Sequence, residues 1–233
     1  MTIFYSKNIS NKSNQLSVDE SKHCLLALRM TINDKIFITE GDGNLYSARI
    51  KNTKNQLVTY DNIKIISKKN KKIHIHIVIA PPKNKARFEW FLEKVTELGV
   101  NIISPIICDN SERKKINIKR CEKILISAMK QSENSLLPQI NTPVSFDQMV
   151  QNIQKNTYIA HCYKEKKQDF KNILLNHKHP SSITLFIGPE GDFSKKELIF
   201  AIKMGLTPVK LGDSRLRTET AGVVGCSMIN LLI

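Results

Sequence analysis

Hydrophobic residues near the C-terminal end of the chain alternate between strand-length runs and helical spacing. The apolar run at residues 183–187 predicts a strand. Gly-Pro-Glu-Gly at residues 188–191 predicts a tight loop after it, because proline fixes φ and glycine allows close backbone approach. Residues 194–204 begin with the spacing of a capping box and predict a helix, which Gly205 would end.

A second strand, loop and helix follow directly. Residues 207–211 predict a strand, residues 212–217 a loop with two arginines, and residues from Thr218 onward a helix with apolar positions at helical spacing. We expect these two consecutive strands to be neighbours. The α/β alternation also favours a parallel arrangement. Both loops would then lie at the carboxyl ends of the strands, where open α/β sheets bind ligands.

The first 70 residues have a β-rich pattern instead. An Asp-Gly turn at residues 42–43 between two alternating runs predicts a β-hairpin, and capping-box spacing from Ser17 predicts a helix. The predicted strands are residues 3–5, 35–39, 45–51 and 56–67, and the predicted helix is residues 17–30. The lysine-rich run at residues 68–72 is interpreted as a solvated linker and marks the domain boundary.

From residue 73 the pattern changes to alternating strands and helices. Further strands are predicted at residues 73–79, 101–108 and 157–162, and further helices at residues 86–99, 116–132 and 166–176. The predicted fold is therefore α/β with a parallel sheet for residues 73–233, preceded by a small domain at residues 1–70. His74 and His76 alternate on the first of these strands, and with no third ligand nearby they are interpreted as polar residues on the outer face of the pleat.

The chain is strongly basic, with 36 Lys and Arg against 21 Asp and Glu and a formal charge of +15. An excess of cations raises the affinity for phosphate, which favours contact with RNA or DNA. The alternative is compositional drift, because Lys, Asn and Ile are abundant throughout. Aromatic residues make up only 6% of the chain, so composition does not predict a stacking platform for single strands.

Hydrophobic residues make up 41% of the chain, which is enough for a packed core. No apolar stretch approaches the roughly 20 residues that cross a bilayer, and the N-terminal residues do not resemble a signal peptide. We therefore expect a cytoplasmic protein without membrane contact. The five cysteines never form a C-x-x-C pair, so neither a disulfide framework nor a metal site is expected.

The candidate chemistry lies in the two C-terminal loops, because neither a Rossmann nor a P-loop glycine motif is present. Arg215 and Arg217 are suited to a phosphate or to a developing oxyanion. Alternatively, the arginines are solvated and the glycine-containing loop only reverses the chain.

Residues 188–193 (GPEGDF) and 211–220 (LGDSRLRTET) resemble the signature of the SPOUT methyltransferases of the RsmE type. Members of this family methylate N3 of a uridine in 16S ribosomal RNA with S-adenosylmethionine. Two residues depart from the pattern, since Asp192 replaces a usual glycine and Asn134 replaces a frequent arginine. Further matching residues are Lys94, residues 96–100, Ser111, Arg113, Arg120, Ala128, Gln131 and Ser132, and in the small domain His23, Leu28, Arg29, Asp42, Gly43 and Tyr46.

The resemblance implies a PUA-like RNA-binding β-barrel at residues 1–70 and a SPOUT α/β domain with a deep trefoil knot at residues 73–233. It also implies a homodimer that acts on 16S rRNA or the small ribosomal subunit, with its site at the subunit interface. The cofactor, S-adenosylmethionine, would lie bent in the knot. The residues that would surround it are Gly188, Pro189, Glu190, Gly191, Leu211, Gly212, Leu216, Arg217 and Thr218.

For methyl transfer, Arg217 is hypothesised to stabilise negative charge on the uracil carbonyl oxygens, and Glu219 to accept the N3 proton directly or through water. Either residue could instead be structural, because glutamate in the first turn of a helix is stabilised by the helix dipole. The candidate RNA contacts are His23, Arg29, Arg87, Arg113 and Arg120.

Two other functions remain open at this stage. The chain could be a SPOUT methyltransferase acting on transfer RNA or 23S rRNA, or on a ribose oxygen. It could also be a non-catalytic RNA-binding dimer in which the α/β part serves only for association.

Overall fold

The structure is a computed structural model that describes residues 2–7, 9, 14–70, 73–152, 154–177 and 180–233. The chain forms two compact units. The N-terminal unit contains Met1–Asn70 together with Ile126–Leu137, and the C-terminal unit contains Lys71–Leu125 and Pro138–Ile233.

The segment Ile126–Leu137 lies in the N-terminal unit, whereas the predicted division of the chain assigned these residues to the second domain. Gly43 N–H donates to Ser135 O at 2.8 Å, and Leu137 N–H donates to Gly41 O at 2.9 Å, so this segment pairs with the hairpin turn of the first unit. Such pairing between distant parts of the chain leaves no periodic signal in the sequence.

The N-terminal unit is built on a four-stranded sheet in chain order. Its strands are β1 (Ile3–Tyr5), β2 (Lys35–Thr39), β3 (Asn44–Asn52) and β4 (Thr59–Lys68). The first pair is parallel and the other two are antiparallel, and the predicted hairpin between β2 and β3 is confirmed. Buried apolar residues from every strand form its core: Phe4, Ile36, Ile38, Ala48, Ile50 and Tyr60.

The predicted helix at residues 17–30 is shorter in the structure. Helix α1 (Val18–Lys22) begins after Ser17, whose side chain accepts a hydrogen bond from Glu20 N–H, and it continues into a single π-helical turn at His23–Ala27. Arg29 has a φ of 53°, which an L residue does not adopt inside a helix. The helical segment therefore ends before the predicted boundary at residue 30.

The C-terminal unit is an α/β fold around a parallel sheet. In spatial order the strands are β10, β12, β9, β11, β5, β6 and β7, with β8 also paired to β6. The strands are β5 (His74–Ile79), β6 (Ile102–Ile107), β7 (Gln139–Ile140), β8 (Val144–Ser145), β9 (Thr157–Ala160), β10 (Gln168–Asp169), β11 (Ser182–Ile187) and β12 (Thr207–Lys210). The helices are α2 (Lys85–Glu97), α3 (Ile118–Gln131, which belongs to the N-terminal unit from Ile126 onward), α4 (Phe146–Gln151), α5 (Phe170–Asn176), α6 (Lys195–Lys203) and α7 (Thr218–Leu232).

The strand order corrects one prediction about the candidate loops. Strands β11 and β12 are not neighbours, because β9 lies between them and pairs in parallel with both. The loops after β11 and β12 still leave the same edge of the sheet. The loop after β9 leaves that edge too, so a third segment joins the two that the sequence pointed to.

Helix α7 packs closely against the sheet and against α2. A Cβ on Gly225 would lie 2.2 Å from Leu185 Cδ2, and a Cβ on Gly222 would lie 2.5 Å from Phe91 Cε2. The backbone of α7 can therefore approach β11 and α2 only because these positions are glycine. This packing fixes the start of α7, where Thr218 and Glu219 lie.

Candidate functional site

Three loops meet at the carboxyl edge of the parallel sheet. They follow β11 (residues 188–194), β12 (residues 211–217) and β9 (residues 161–167). The sequence patterns point to the first two loops but not to the third, whose Ala-His-Cys-Tyr sequence matches no motif. The third loop lies between the other two because β9 lies between β11 and β12 in the sheet.

Asp192 connects the loop after β11 to the loop after β9. Its Oδ2 accepts a hydrogen bond from Cys162 N–H at 2.7 Å, and its Oδ1 accepts one from Phe193 N–H at 2.8 Å. Asp192 has a φ of 62°, in the left-handed region that favours glycine and tolerates aspartate. The departure from glycine thus keeps the backbone conformation and adds a contact between loops.

The loop after β9 is held by further hydrogen bonds. Lys167 Nζ donates to His161 O at 2.9 Å and to Tyr163 O at 2.7 Å. The Tyr163 hydroxyl donates to Phe193 O at 2.8 Å, which is a second connection to the loop after β11. Lys167 and Tyr163 therefore fix the backbone that carries His161 and Cys162.

The loops after β11 and β12 are connected as well. Thr218 Oγ1 donates to Gly188 O at 3.0 Å in a buried position, and Arg215 donates to Glu190 O at 3.2 Å. The Glu190 carboxylate accepts a hydrogen bond from Lys83 N–H at 3.0 Å. Because that carboxylate binds backbone, Glu190 has a structural task in addition to lining the site.

Two cavities open between these loops. The first, of about 310 Å³, lies between the loop after β11 and the start of α7, and the second, of about 300 Å³, lies along the loop after β12. The two cavities share one wall, which is formed by Ala160, Cys162, Arg215, Leu216 and Ala221.

The residues that the resemblance assigns to the cofactor divide between the two cavities. The first is lined by Gly188, Pro189, Glu190, Leu216, Arg217 and Thr218, and the second by Leu211, Gly212 and Leu216. Gly191 lines neither; its carbonyl accepts a hydrogen bond from Asn110 Nδ2 at 3.2 Å. A Cβ on Gly212 would meet no atom of the described residues within 4 Å, so the backbone there is open to a ligand.

His161 lines the second cavity and is only 6% exposed. Neither of its ring nitrogens has a hydrogen-bond partner among the described residues. Burial, and secondly the nearby Lys167 ammonium, lower the pKa of His161 below its ordinary value despite the opposing effect of Asp192 and Glu165, which favours the neutral ring. Nothing in the sequence pattern distinguishes this histidine.

The two proposed catalytic residues have different surroundings. Arg217 precedes the first turn of α7 and lines the first cavity. Glu219, in that first turn, is 6% exposed and lines neither cavity. Its Oε1 lies 3.6 Å from Arg87 Nε, and its Oε2 has no partner within the described part of the chain.

The predicted RNA contacts are spread over both units. In the N-terminal unit, the His23 ring lies edge-to-face with Phe4, with centroids 6.1 Å apart, and Arg29 has a left-handed backbone. In the C-terminal unit, three arginines already have partners. Arg120 forms a bidentate pair with Glu89, Arg113 donates twice to Lys83 O, and Arg87 faces Glu219.

Asn134, the second residue that departs from the family pattern, is 5% exposed, and its side chain accepts a hydrogen bond from Leu136 N–H.

Two known protein families match this chain. The family described as an RNA methyltransferase domain matches residues 69–230, and the family described as an RNA methyltransferase PUA domain matches residues 16–59. The chain belongs to the RNA methyltransferase family. Both matches agree with the resemblance read from the glycine- and arginine-containing loops.

Individual relatives of this RNA methyltransferase match over nearly its whole length. It is 30% identical over 222 residues to the ribosomal RNA small subunit methyltransferase E of Buchnera aphidicola, an alignment covering 92% of this chain and 86% of the relative. The crystal structure of a probable rRNA-methyltransferase from Porphyromonas gingivalis has a TM-score of 0.89 and 34% identity, covering 100% and 98% of the two chains.

A further solved structure contains a bound cofactor. The ribosomal RNA small subunit methyltransferase E from Neisseria gonorrhoeae, bound to S-adenosyl methionine, has a TM-score of 0.79 and 25% identity, covering 97% of this methyltransferase and 95% of that chain. Within the described ranges, no group of three or more His, Cys, Asp or Glu side chains could hold a metal ion. The helices of the described residues are all too short or too polar to span a membrane.

Proposed function

We propose that this RNA methyltransferase transfers a methyl group from S-adenosylmethionine to N3 of a uridine in 16S rRNA of the small ribosomal subunit. The observation that carries the proposal is the pair of adjacent cavities at the carboxyl edge of the sheet, one of them lined by Arg217 and Thr218 at the start of α7. The names of the relatives, small subunit methyltransferase E, support the RNA substrate.

The site fits the cofactor on three grounds. Its cavities of about 300 and 310 Å³ reach the lower end of the ~300–1,000 Å³ typical of small-molecule sites. The backbone at Gly212 is open, and the His161 nitrogens, which have no partner among the described residues, supply buried hydrogen-bonding groups. Gly188, Pro189, Leu211, Gly212, Leu216 and Thr218 would hold the cofactor. When bound, S-adenosylmethionine supplies a methyl group already activated by its sulfonium.

The protein has to align the uracil with that methyl group and make N3 a nucleophile. The Arg217 guanidinium would stabilise negative charge on the uracil carbonyl oxygens as N3 loses its proton. Glu219 lines neither cavity, so we assign it proton acceptance through a bridging water. A Glu219→Gln variant with an unchanged pH–rate profile would remove it from this role.

We further propose that the C-terminal unit contains a deep trefoil knot. Helix α7, which follows β12, packs against β5 and α2. The chain therefore returns past β9 and β11 after it leaves β12. Thr218, at the start of that return, bonds to Gly188 in the loop after β11. Passage of this returning segment through the loop after β11 would form the knot, a feature that is rare in other folds.

For the N-terminal unit we propose the PUA-like β-barrel. The match to an RNA methyltransferase PUA domain supports it, and so do the register shifts between β3 and β4, since such irregularities bend a sheet. This barrel and the arginines would bind RNA, with His23, Arg29, Arg87, Arg113 and Arg120 as candidate contacts. A substrate affinity that does not fall steeply with salt would contradict this electrostatic role.

A homodimer with the site at its interface completes the proposal. Trp90 on α2 and Leu231 on α7 are 44% and 77% exposed, and these two helices pack together. Exposed apolar side chains on adjacent helices suit contact with a second copy. A monomer in sedimentation at micromolar concentration would contradict this part. The enzyme would act in the cytoplasm, where the small subunit is assembled.

The test of the substrate is mass mapping of ribosomal RNA from cells with the gene deleted, and from the same cells with the gene restored. The proposal predicts that one N3-methyluridine disappears from 16S rRNA and returns on complementation. A methyl group lost instead from transfer RNA or 23S rRNA would identify another substrate. Unchanged methylation of all RNA would point to a non-catalytic RNA-binding protein.

A further inference from the structure

We infer that His161 binds the nucleoside part of S-adenosylmethionine through its buried, unpartnered imidazole nitrogens. The inference rests on the proposed function, since it concerns the same cavity. It adds the loop after β9 to the binding residues, which the sequence signature places only in the other two loops.

Other histidines of the C-terminal unit show how unusual His161 is. His76 Nε2 lies 2.7 Å from Ser104 Oγ, and His177 Nε2 lies 2.9 Å from the Tyr158 hydroxyl, so both rings have a partner inside the fold. His161 is 6% exposed and has none within the described part of the chain. Buried polar groups are nearly always hydrogen-bonded, so an unpartnered pair of ring nitrogens beside a cavity points to a ligand.

The chemistry of the ring selects the ligand group. Lys167 donates to His161 O and places an ammonium close to the loop, which disfavours a second positive charge there. A neutral imidazole offers one N–H donor and one acceptor. It therefore suits a neutral group that can also donate and accept, such as the edge of adenine or a ribose hydroxyl.

The surroundings of the second cavity agree with a nucleoside. Apolar residues that can cover a flat ring line part of it: Ala160, Val209, Leu211, Leu216 and Ala221. The charged residues Lys167, Lys210, Asp213 and Arg215 line the rest and can contact the polar edge of the base and the ribose. The charged methionine end of the cofactor would then extend toward the first cavity. That cavity contains Arg217 and Thr218 and lies nearer the proposed reaction.

The test is calorimetric titration of the full chain with two ligands: S-adenosylhomocysteine, and methylthioadenosine, which lacks the amino-acid end. His161→Leu should weaken binding of both by about 3- to 10-fold, the range for one lost hydrogen bond. His161→Asn, which keeps a donor and an acceptor, should lose less. His177→Leu is the matched control, since His177 lines neither cavity, and it should bind both ligands like the parent protein.

Each outcome decides the inference. Unchanged affinity of His161→Leu for both ligands overturns it, and a loss confined to S-adenosylhomocysteine moves the contact to the amino-acid end and overturns the nucleoside assignment. If the parent protein binds neither ligand, the proposed function fails as well, so the two failures are distinguishable.

A second measurement does not depend on a variant that folds. In the parent protein labelled with ¹⁵N in its histidine rings, saturating S-adenosylhomocysteine should shift the His161 resonances and leave those of His76 and His177 in place. Unmoved His161 resonances in a protein that binds the ligand would overturn the inference.

Discussion

Asp192 connects two of the three loops that form the cavities, and weakening this connection should reduce cofactor affinity. The informative change is Asp192→Asn. Asparagine tolerates the observed φ of 62°, so the backbone is kept. The amide, however, has one acceptor oxygen, so it can serve only one of the two N–H groups, of Cys162 and Phe193, that the carboxylate now binds.

The size of the effect follows from the bond that is lost. A hydrogen bond to a charged group contributes about 1.5–3 kcal/mol. The lower end applies because Asp192 is partly exposed, and about 1.4 kcal/mol corresponds to a tenfold change in affinity. If the loop after β9 must be re-ordered when the cofactor binds, Asp192→Asn should therefore bind S-adenosylhomocysteine about tenfold more weakly.

The assay is calorimetric titration, with thermal unfolding of each variant to show that it is folded. Asp147→Asn provides the matched control, because Asp147 is exposed on α4 and lines neither cavity, and its affinity should not change. Affinity of a folded Asp192→Asn within twofold of the parent protein would refute the argument that this carboxylate positions the site.

Three further predictions concern catalysis, packing and pH. Arg217→Ala should leave cofactor binding largely intact and lower methyl transfer by orders of magnitude in a radiolabel assay; near-normal turnover would remove Arg217 from the mechanism. Gly225→Ala places a Cβ 2.2 Å from Leu185 Cδ2 and should cost about 1–3 kcal/mol in denaturant unfolding, whereas Gly212→Ala, with no atom within 4 Å, should unfold like the parent. Burial lowers the pKa of His76 to about 4. Because the unfolded histidine binds a proton below about pH 6.5, His76 should reduce stability by up to about 3 kcal/mol as the pH falls from 6.5 to 4. His76→Gln should lack this slope, and an equal slope in both proteins would contradict the reasoning.

Local chemistry explains which parts of the fold the sequence predicts. Ser194 and Glu197 form a complete capping box at the start of α6, and Gly205, with a φ of 97°, follows its end, as the spacing indicates. The hairpin between β2 and β3 likewise follows from its Asp-Gly turn. Each of these signals is complete within a few consecutive residues.

Features that depend on distant pairing were not predicted. The strands β7 and β8 have two residues each, too few for a periodic pattern, and they were missed together with α4. Strand β9 lies between β11 and β12 by parallel pairing with both, which no stretch of sequence encodes. The alternation on β5 predicts that His76 lies on the outer face of the sheet. In the structure His76 is largely buried and hydrogen-bonded to Ser104, since both faces of a parallel sheet are covered.

The same limit applies to the candidate site. The glycine- and arginine-containing loops could be identified because their residue types are suited to close backbone approach and to anions. His161 and Cys162 could not, because a single histidine or cysteine after a strand is ordinary. They become part of the site only through the strand order and through the carboxylate of Asp192.

The most direct test of the central claim is methyl transfer by the purified protein. Small ribosomal subunits from cells lacking the gene would be incubated with the protein and S-adenosylmethionine carrying a deuterated methyl group, and the RNA would be digested and its nucleosides analysed by mass spectrometry. We expect deuterated N3-methyluridine from the small-subunit RNA, and orders of magnitude less of it with Arg217→Ala. The absence of any labelled nucleoside with the folded protein would contradict the claim that these three loops form a methyl-transfer site.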